Sequence, residues 1–413
     1  MQGTINQTFA AFKSRNFRLF FIGQGISSIG SWAQTIGMSW LVLSLTHSGT
    51  QLGLVLAAQF VPMMILGVWG GLIADSFPKR RTIFITQSLI GLLALTLGLL
   101  VVTHSIHLWM IYVLAVMTGL VQVADNPTRQ SFIVEMVGPE HLRNALTLNS
   151  TLVNTARIVG PTIAAALIAT VGIGLCFLFN AASFVAVLMA LWLMNPHLLA
   201  PAKRATRERG QIRAGLAYAW TNPVIRSTII MMFIIGTLTY EFPVVLPLLA
   251  TATLHGNAAT YSAMMSAMGL GAILGGLYTA GRTKIHDRQL IYTVAIFGVA
   301  IIIASLMPNL ISVLIVLTIV GALSVLFISL GNTLVQLASD PEMRGRVMAL
   351  WTIGFLGTTP IGGPIIGYIS DRTNPRVGLA VGGVAAIVAA IVGLASFNAK
   401  PASSPRAVPA KII

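Results

Sequence analysis

Apolar residues run through this chain in long blocks separated by short polar segments, and the block lengths predict its elements. No charged side chain falls within residues 19–74, 82–124, 158–202, 289–339, 347–370 or 377–399. Residues 144–156 are also apolar, and 227–281 are interrupted only by Glu241. A helix needs about 20 apolar residues to cross the hydrocarbon core of a bilayer. With 144–202 counted as one block, five blocks of 43 to 59 residues hold two helices each and the last two hold one each. Twelve transmembrane helices are therefore expected. Gly, Pro, His and small polar residues mark the breaks inside the double blocks, at Thr46–Gly49, His104–His107, Val171–Gly172, His255–Asn257 and Met307–Asn309. Ten-residue alternating segments, the mark of a membrane β-barrel, do not occur. The expected fold class is an all-α membrane protein.

Charge adds orientation. The 413 residues are 56% hydrophobic and only 8% charged, against about 25% charged in soluble domains, so lipid has to cover most of the surface. With a cytoplasmic N-terminus, 21 of the 25 Lys and Arg residues fall on the cytoplasmic side. Arg372 and Arg376 fall outside, and Arg129 and Arg157 lie within or at the edge of spans. Cytoplasmic loops carry the Lys and Arg excess, so both termini are expected in the cytoplasm, with the chain in the bacterial inner membrane. The formal charge of +15 is then a topology signal, and no nucleic-acid partner is expected. The first apolar run is too long for the h-region of a cleavable signal peptide. The one cysteine, Cys176, lies in a span and forms no internal disulfide. Neither His-Glu-x-x-His nor Gly-x-Ser-x-Gly occurs, and no phosphate loop precedes any of the six lysines. An enzyme, a metal site, a cofactor and direct use of ATP are not expected.

The chain repeats itself at an offset of about 204. Gly70-Gly71-Leu72 with Lys79-Arg80-Arg81 behind it matches Gly275-Gly276-Leu277 with Arg282 and Lys284 behind it. Pro139-Glu140 matches Pro341-Glu342, and Gly160-Pro161 matches Gly363-Pro364. Matches in the same order point to parallel repeats of six spans, two bundles with a substrate site between them. The expected units are a bundle over 1–195, a basic cytoplasmic linker over 196–222, a second bundle over 223–398 and a disordered tail over 399–413.

This pattern resembles the major facilitator superfamily along essentially the whole chain. That family's loop after span 2 reads Gly-x-x-x-Asp-Arg-x-Gly-x-Arg-Arg. Here Gly71, Asp75, Arg80 and Arg81 match, while Ser76 and Pro78 replace the Arg and the Gly. Within the superfamily, Trp40–Thr46, Asp125–Gln130 and Ala156–Pro161 look like the bacterial drug and siderophore exporter branch. The resemblance implies that the Gly71, Asp75, Lys79, Arg80 and Arg81 loop gates the cytoplasmic side as a latch. It also implies that Gly160-Pro161 is similar to the antiporter motif of span 5, although close helix packing alone explains small residues and a Pro there. Spans 1, 4, 7 and 10 line the cavity in that family.

Of the ten acidic residues only Asp125 and Glu241 fall inside expected spans. A charge at the bilayer centre costs roughly 2.5–3.5 kcal/mol, so it usually faces a cavity or a partner. Asp125 and Arg129 are one turn apart on one helix face. Asp125 is expected to pair with Arg129 or with Arg157 in one state and to exchange a proton in another, or else to form a fixed structural ion pair with them. Glu241 follows Tyr240 and precedes Pro243 and Pro247, so this helix is expected to bend or break. Glu241 carries the proton, binds a cationic substrate, or simply lines the cavity. Gln34, Gln59, Asn154 and Tyr240 are candidate substrate contacts, with interhelical hydrogen bonding as the alternative. The leading expectation is a monomeric, proton-coupled antiporter that exports small amphipathic compounds, drugs or siderophore-like molecules, and so confers multidrug resistance. A lysophospholipid or lipid flippase and an uptake symporter are the alternatives.

Overall fold

The computed structural model describes residues 10–200, 211–280, 287–340 and 342–398. Linker residues 203–209, Arg282 and Lys284 of the second-half loop, Pro341 and the 399–413 tail lie outside the described residues. The described residues form helices and no strand. In the first half these are α1 (Arg15–Thr46), α2 (Gly49–Ser76), α3 (Lys79–Val102), α4 (Leu108–Thr170) and α5 (Gly174–Leu193). The second half begins with α6 (Gln211–Thr221), α7 (Pro223–Leu238), α8 (Phe242–Leu248) and α9 (Ala258–Ala280). It continues with α10 (Asp287–Leu306), α11 (Leu310–Ala338), α12 (Arg344–Leu356), α13 (Thr359–Arg372) and α14 (Pro375–Asn398).

Helix α4 is two antiparallel legs. Gly138 has φ 70° and ψ 172°, a conformation that only glycine adopts without strain, and Pro139 follows as the first residue of the return leg. Ten described helical segments are long and apolar enough to cross a bilayer, with α4 counted once and α1 not counted. The expectation of twelve crossings rests on taking the legs of α4 separately and on adding α1. Gln24, Ser27, Ser28, Ser31 and Thr35 stripe α1 and dilute its apolarity over 32 residues. Large apolar side chains such as Trp192 and Ile311, each 73% exposed, mark the surface that lipid covers.

The repeat read from the sequence is visible in the packing. A Cβ built on Gly70 of α2 would lie 1.9 Å from the Val123 carbonyl oxygen of α4. One built on Gly275 of α9 would lie 2.4 Å from the Ala322 carbonyl oxygen of α11. Equivalent glycines thus bring equivalent helices into backbone contact in the two halves. Between the halves, two seams repeat the same relation: α2 against α13, and the return leg of α4 against α9.

The 196–222 linker is partly helical. Its second part is helix α6, which packs on α12, and the Tyr218 hydroxyl accepts from the Asp340 backbone N–H at 3.0 Å. Charge dominates the sequence of this segment, but Tyr218 and Ala219 pack on the core and Gly215 lies against Arg346 of α12, while Leu216 and Trp220 stay exposed.

The two halves are filled differently. One continuous core fills the second half, with Tyr261, Phe297, Phe327 and Trp351, and reaches into the first half through Ala33, Ile36, Ala164 and Cys176. In the first half, one cluster sits at the end bearing Phe17, Phe20, Phe132 and Val187. Another sits at the opposite end, around Val42, Leu52, Ile111 and Phe177. The end that carries Lys79, Arg80 and Arg81 is called the basic face below, and the other the far face. Between the two clusters, the buried polar residues Gln24, Ser27, Gln87, Asp125 and Asn180 form a layer across the first half.

Candidate functional site

That polar layer opens into a cavity of about 380 Å³ between α1, α3 and both legs of α4. It runs from Gln130 and Asn149 near the basic face to Trp32 and Thr35 at mid-helix. Its α1 wall, Gln24, Ser27, Ser28, Ser31 and Thr35, follows helical spacing. A polar stripe of that period in an apolar helix is a signal that single-residue reasoning passes over.

Asp125 sits in the cavity wall and is 2% exposed. Its Oδ1 accepts from Thr86 Oγ1 at 2.6 Å and from Gln87 Nε2 at 2.9 Å. Arg129 Nε lies 3.8 Å from Oδ2, while Arg129 Nη2 donates to Asn126 Oδ1 at 2.9 Å. The first alternative for Asp125, Arg129, is therefore its partner in this state, and the carboxylate is held mainly by two α3 side chains. Arg157 is not its partner among the described residues. The Arg157 guanidinium lies over the Trp32 ring at 5.0 Å from the centroid, with Nε buried and without a hydrogen-bond partner. Gly160, one turn further along, makes this stack possible. A Cβ there would lie 2.4 Å from Trp32 Cβ and 2.9 Å from the Ile29 carbonyl oxygen.

On the second half, the chain breaks between α7 and α8 as the prolines predict. Pro243 occupies the first turn of α8, and a π-helical turn, Leu249–Thr253, follows Pro247. Glu241 stands at the break. It is 2% exposed, and its Oε1 has no hydrogen-bond partner. The carboxyl occupies the space left by missing side chains on α13: a Cβ on Gly362 would lie 2.8 Å from Oε1, and one on Gly363 3.3 Å from Oε2. The other face of the same glycine pair meets α2, where a Cβ on Gly53 would lie 2.3 Å from the Gly363 carbonyl oxygen. Tyr240 beside it is ringed by Phe242, Phe297 and Phe355, and its hydroxyl donates to the Ser324 carbonyl at 3.2 Å.

The far face is held shut between the halves by Asp371 near the end of α13. Its carboxylate accepts from the Gly49 and Thr50 backbone N–H groups at 2.7 and 2.9 Å, and from the Ser48 and Thr50 hydroxyls at 2.7 Å each. An acidic group on the first turn of α2 satisfies unpaired N–H groups and the positive end of the helix dipole together. Sequence reasoning placed Asp371 in a loop or at a span end and gave it no role. Its partners lie more than 300 positions away, so no local signal marks it.

The other candidates separate. Gln34 Oε1 accepts from Asn180 Nδ2 at 2.8 Å, an interhelical tie. Asn154 Nδ2 donates to the Ser150 carbonyl on its own helix at 3.0 Å. Neither residue, nor Gln59, lines the cavity. In the loop after α2, Lys79 pairs with Glu135 at the end of the first leg of α4. Arg80 donates to the Leu191 and Trp192 carbonyls at the end of α5, at 2.7 and 3.1 Å. Both basic side chains are therefore docked on their own half here, with Gly71, Asp75 and Arg81 in the same segment.

Comparisons with known proteins fit this architecture. The chain is 25% identical over 360 residues to the Staphyloferrin A transporter of Staphylococcus aureus, covering 86% of this chain and 89% of that one. It is 26% identical over 387 residues to the Enterobactin exporter EntS of Citrobacter koseri, covering 92% and 90%. Among solved structures, a bacterial homolog of the human lysosomal transporter Spinster, in an inward-facing and occupied conformation, matches with a TM-score of 0.73 at 15% identity, over 94% of this chain and 97% of that one. The nucleoside transporter NupG matches at 0.71 and 13% identity, over 94% and 100%. The model of the family described as "Transmembrane secretion effector" matches residues 6–408, and the chain belongs to that family of major facilitator transporters.

Proposed function

We propose that this transporter is a proton-coupled antiporter that exports small amphipathic compounds, siderophore-like in class, by alternating access across the bacterial inner membrane. In this reading the basic face and both termini are cytoplasmic, a monomer suffices, and the bundles of residues 1–195 and 223–398 rock about the cavity on either side of the 196–222 linker. The observation that carries the reading is Glu241, a buried carboxyl whose Oε1 lacks a partner, directly behind the α2–α13 contact that shuts the far face. Opening that seam separates Gly53 from Gly363 and gives the carboxyl access to outside water. Closing it returns the carboxyl to the enclosed space against Gly362 and Gly363, cut off from that water. Asp125, with Thr86, Gln87 and Arg129 already on it, is the structural carboxylate of the two.

The experiment is flux in proteoliposomes under an imposed pH gradient, with cationic, zwitterionic and anionic dyes of similar size. One pH unit is worth about 1.4 kcal/mol per proton, enough for about tenfold accumulation. Wild type is expected to concentrate at least one dye against its gradient. Glu241→Gln is expected to fold normally, to equilibrate that dye and to ignore the pH gradient. Gradient-driven accumulation that survives in Glu241→Gln assigns coupling elsewhere, and flux indifferent to pH in wild type removes antiport altogether.

A further inference from the structure

Among the described residues, Arg157 is a cation far from either end of its helix with no carboxylate partner. Along the return leg of α4, Arg157 lies roughly 28 Å from the Gly138 reversal and roughly 20 Å from the end of the helix at Thr170, at 1.5 Å per residue. The ion pairs between described residues are Lys79 with Glu135 and Arg129 with Asp125, and neither involves Arg157. Asp125 is already engaged by Thr86 and Gln87, and Glu241 is packed against Gly362 and Gly363 of α13. An isolated buried cation is strongly unfavourable in this medium, and a ring face compensates it only in part.

The stacking geometry says what is missing. Trp32 takes one face of the guanidinium, and Nε is enclosed, while the residue as a whole stays half-buried rather than sealed. A stacked guanidinium keeps its in-plane donors at its edge, and two parallel N–H donors match the two oxygens of a carboxylate. Trp32 also lines the polar cavity, so its ring connects Arg157, which is not itself a lining residue, to that cavity's inner end. Arg157 is at the seam between the halves as well. A Cβ on Gly269 of α9 would lie 3.3 Å from the Arg157 carbonyl oxygen, and Ser266 Oγ donates to the Ile158 carbonyl at 3.3 Å. A group bound there touches the interface that alternating access rearranges.

We propose that the Arg157 guanidinium, stacked on Trp32, binds an oxyanion of the transported compound, a carboxylate or a group of like charge and shape, so that the cargo is anionic at this point. The inference rests on the transport reading above and sharpens it: of the amphipathic compounds considered there, those with an exposed acid group are the ones this site selects. The cavity wall then serves the rest of the molecule mostly with neutral hydrogen-bonding groups, its charged members Asp125 and Arg129 being paired with each other.

The test is equilibrium binding of carboxyfluorescein and of rhodamine 123, an anion and a cation on the same ring system, to the full chain in detergent, followed by fluorescence anisotropy. Wild type is expected to bind the anion more tightly than the cation. Arg157→Gln is expected to weaken the anion at least tenfold and to leave the cation unchanged or tighter. Arg157→Lys keeps the charge without the fork and the stack, and is expected to fall between them. It also guards against a folding artefact, since both variants are first checked for an unchanged elution profile. Absence of anion binding in wild type, a preference for the cation, or anion affinity unchanged in Arg157→Gln overturns the proposal. Failure of the transport reading is read separately: anion binding at Arg157 without pH-driven flux in liposomes leaves this site standing and removes antiport.

Discussion

The two repeats place the same small-residue motif at equivalent helix crossings and have put opposite charges there. In the first half, Gly160-Pro161 of α4 lets α1 approach, and the space holds Trp32 with the Arg157 guanidinium over it. In the second half, Gly362-Gly363-Pro364 of α13 lets the broken α7–α8 segment approach, and the space holds the Glu241 carboxyl. The inter-half seams differ in the same sense. The α2–α13 seam is fastened by Asp371 through four hydrogen bonds. The α4–α9 seam has Ser266 on the Ile158 carbonyl and Ile168 near the place equivalent to Asp371. Duplication supplied the close-packed geometry, and divergence assigned a cation to one crossing and a carboxyl and a clasp to the other.

The comparison breaks most severely at the glycines. A Cβ on Gly362 would lie 1.6 Å from the Thr237 carbonyl oxygen, a backbone atom that cannot step aside. Gly362→Leu is expected to cost at least about 3 kcal/mol, read as loss of the monodisperse peak on size exclusion. Next in size is the clasp. Asp371→Ala removes four hydrogen bonds that sit near water, each worth about 0.5–1.5 kcal/mol net. The far face is then expected to open more often by one to two orders of magnitude. The readout is labelling of Ser39→Cys by an impermeant maleimide in a Cys176→Ala background, because Ser39 Oγ donates to the Pro243 carbonyl of the second half at 3.3 Å. Labelling as slow as in the parent would show that the glycine seam closes that face unaided. The smallest effect comes from making the first crossing resemble the second. Trp32→Glu gives Arg157 a built-in carboxylate, and anion affinity is expected to fall about tenfold, or about 1.4 kcal/mol. Unchanged affinity there would place the anion elsewhere.

Much of this was legible in the sequence because membrane helices announce themselves by length and by absence of charge. The block pattern, the internal repeat and the Pro243–Pro247 break all depend on local composition, and Arg157, Asp125 and Glu241 stand out as ions where ions are costly. Their partners were not legible. Whether Asp125 meets Arg129, Arg157, or Thr86 and Gln87 depends on how α3 and α4 rotate against each other, and spacing within one helix does not contain that angle. Gln34 and Asn154 stand out as polar residues in spans, yet polar residues satisfy each other or their own helix as readily as a ligand. The α1 stripe was readable as a period, but its members are individually too ordinary to draw notice. Asp371 was invisible for the opposite reason: an acid near a span end is common, and only the fold brings the first turn of α2 to it.

The divided core of the first half has a mechanical consequence. Beside the cavity its two apolar ends are joined through a layer of hydrogen-bonded side chains, while Ala33, Ile36, Ala164 and Cys176 belong to the core that fills the second half continuously. Dispersion contacts are short-ranged, and a gap of about an ångström already forfeits about a quarter to a half of their energy, so lower stiffness is expected where that layer runs. The first half is therefore expected to be the more compliant of the two, at the level of Asp125 and Gln87. Amide hydrogens of α1 and α4 beside the layer are therefore expected to exchange sooner than those of α10 and α14, and compliance is concentrated in the half that carries the cavity.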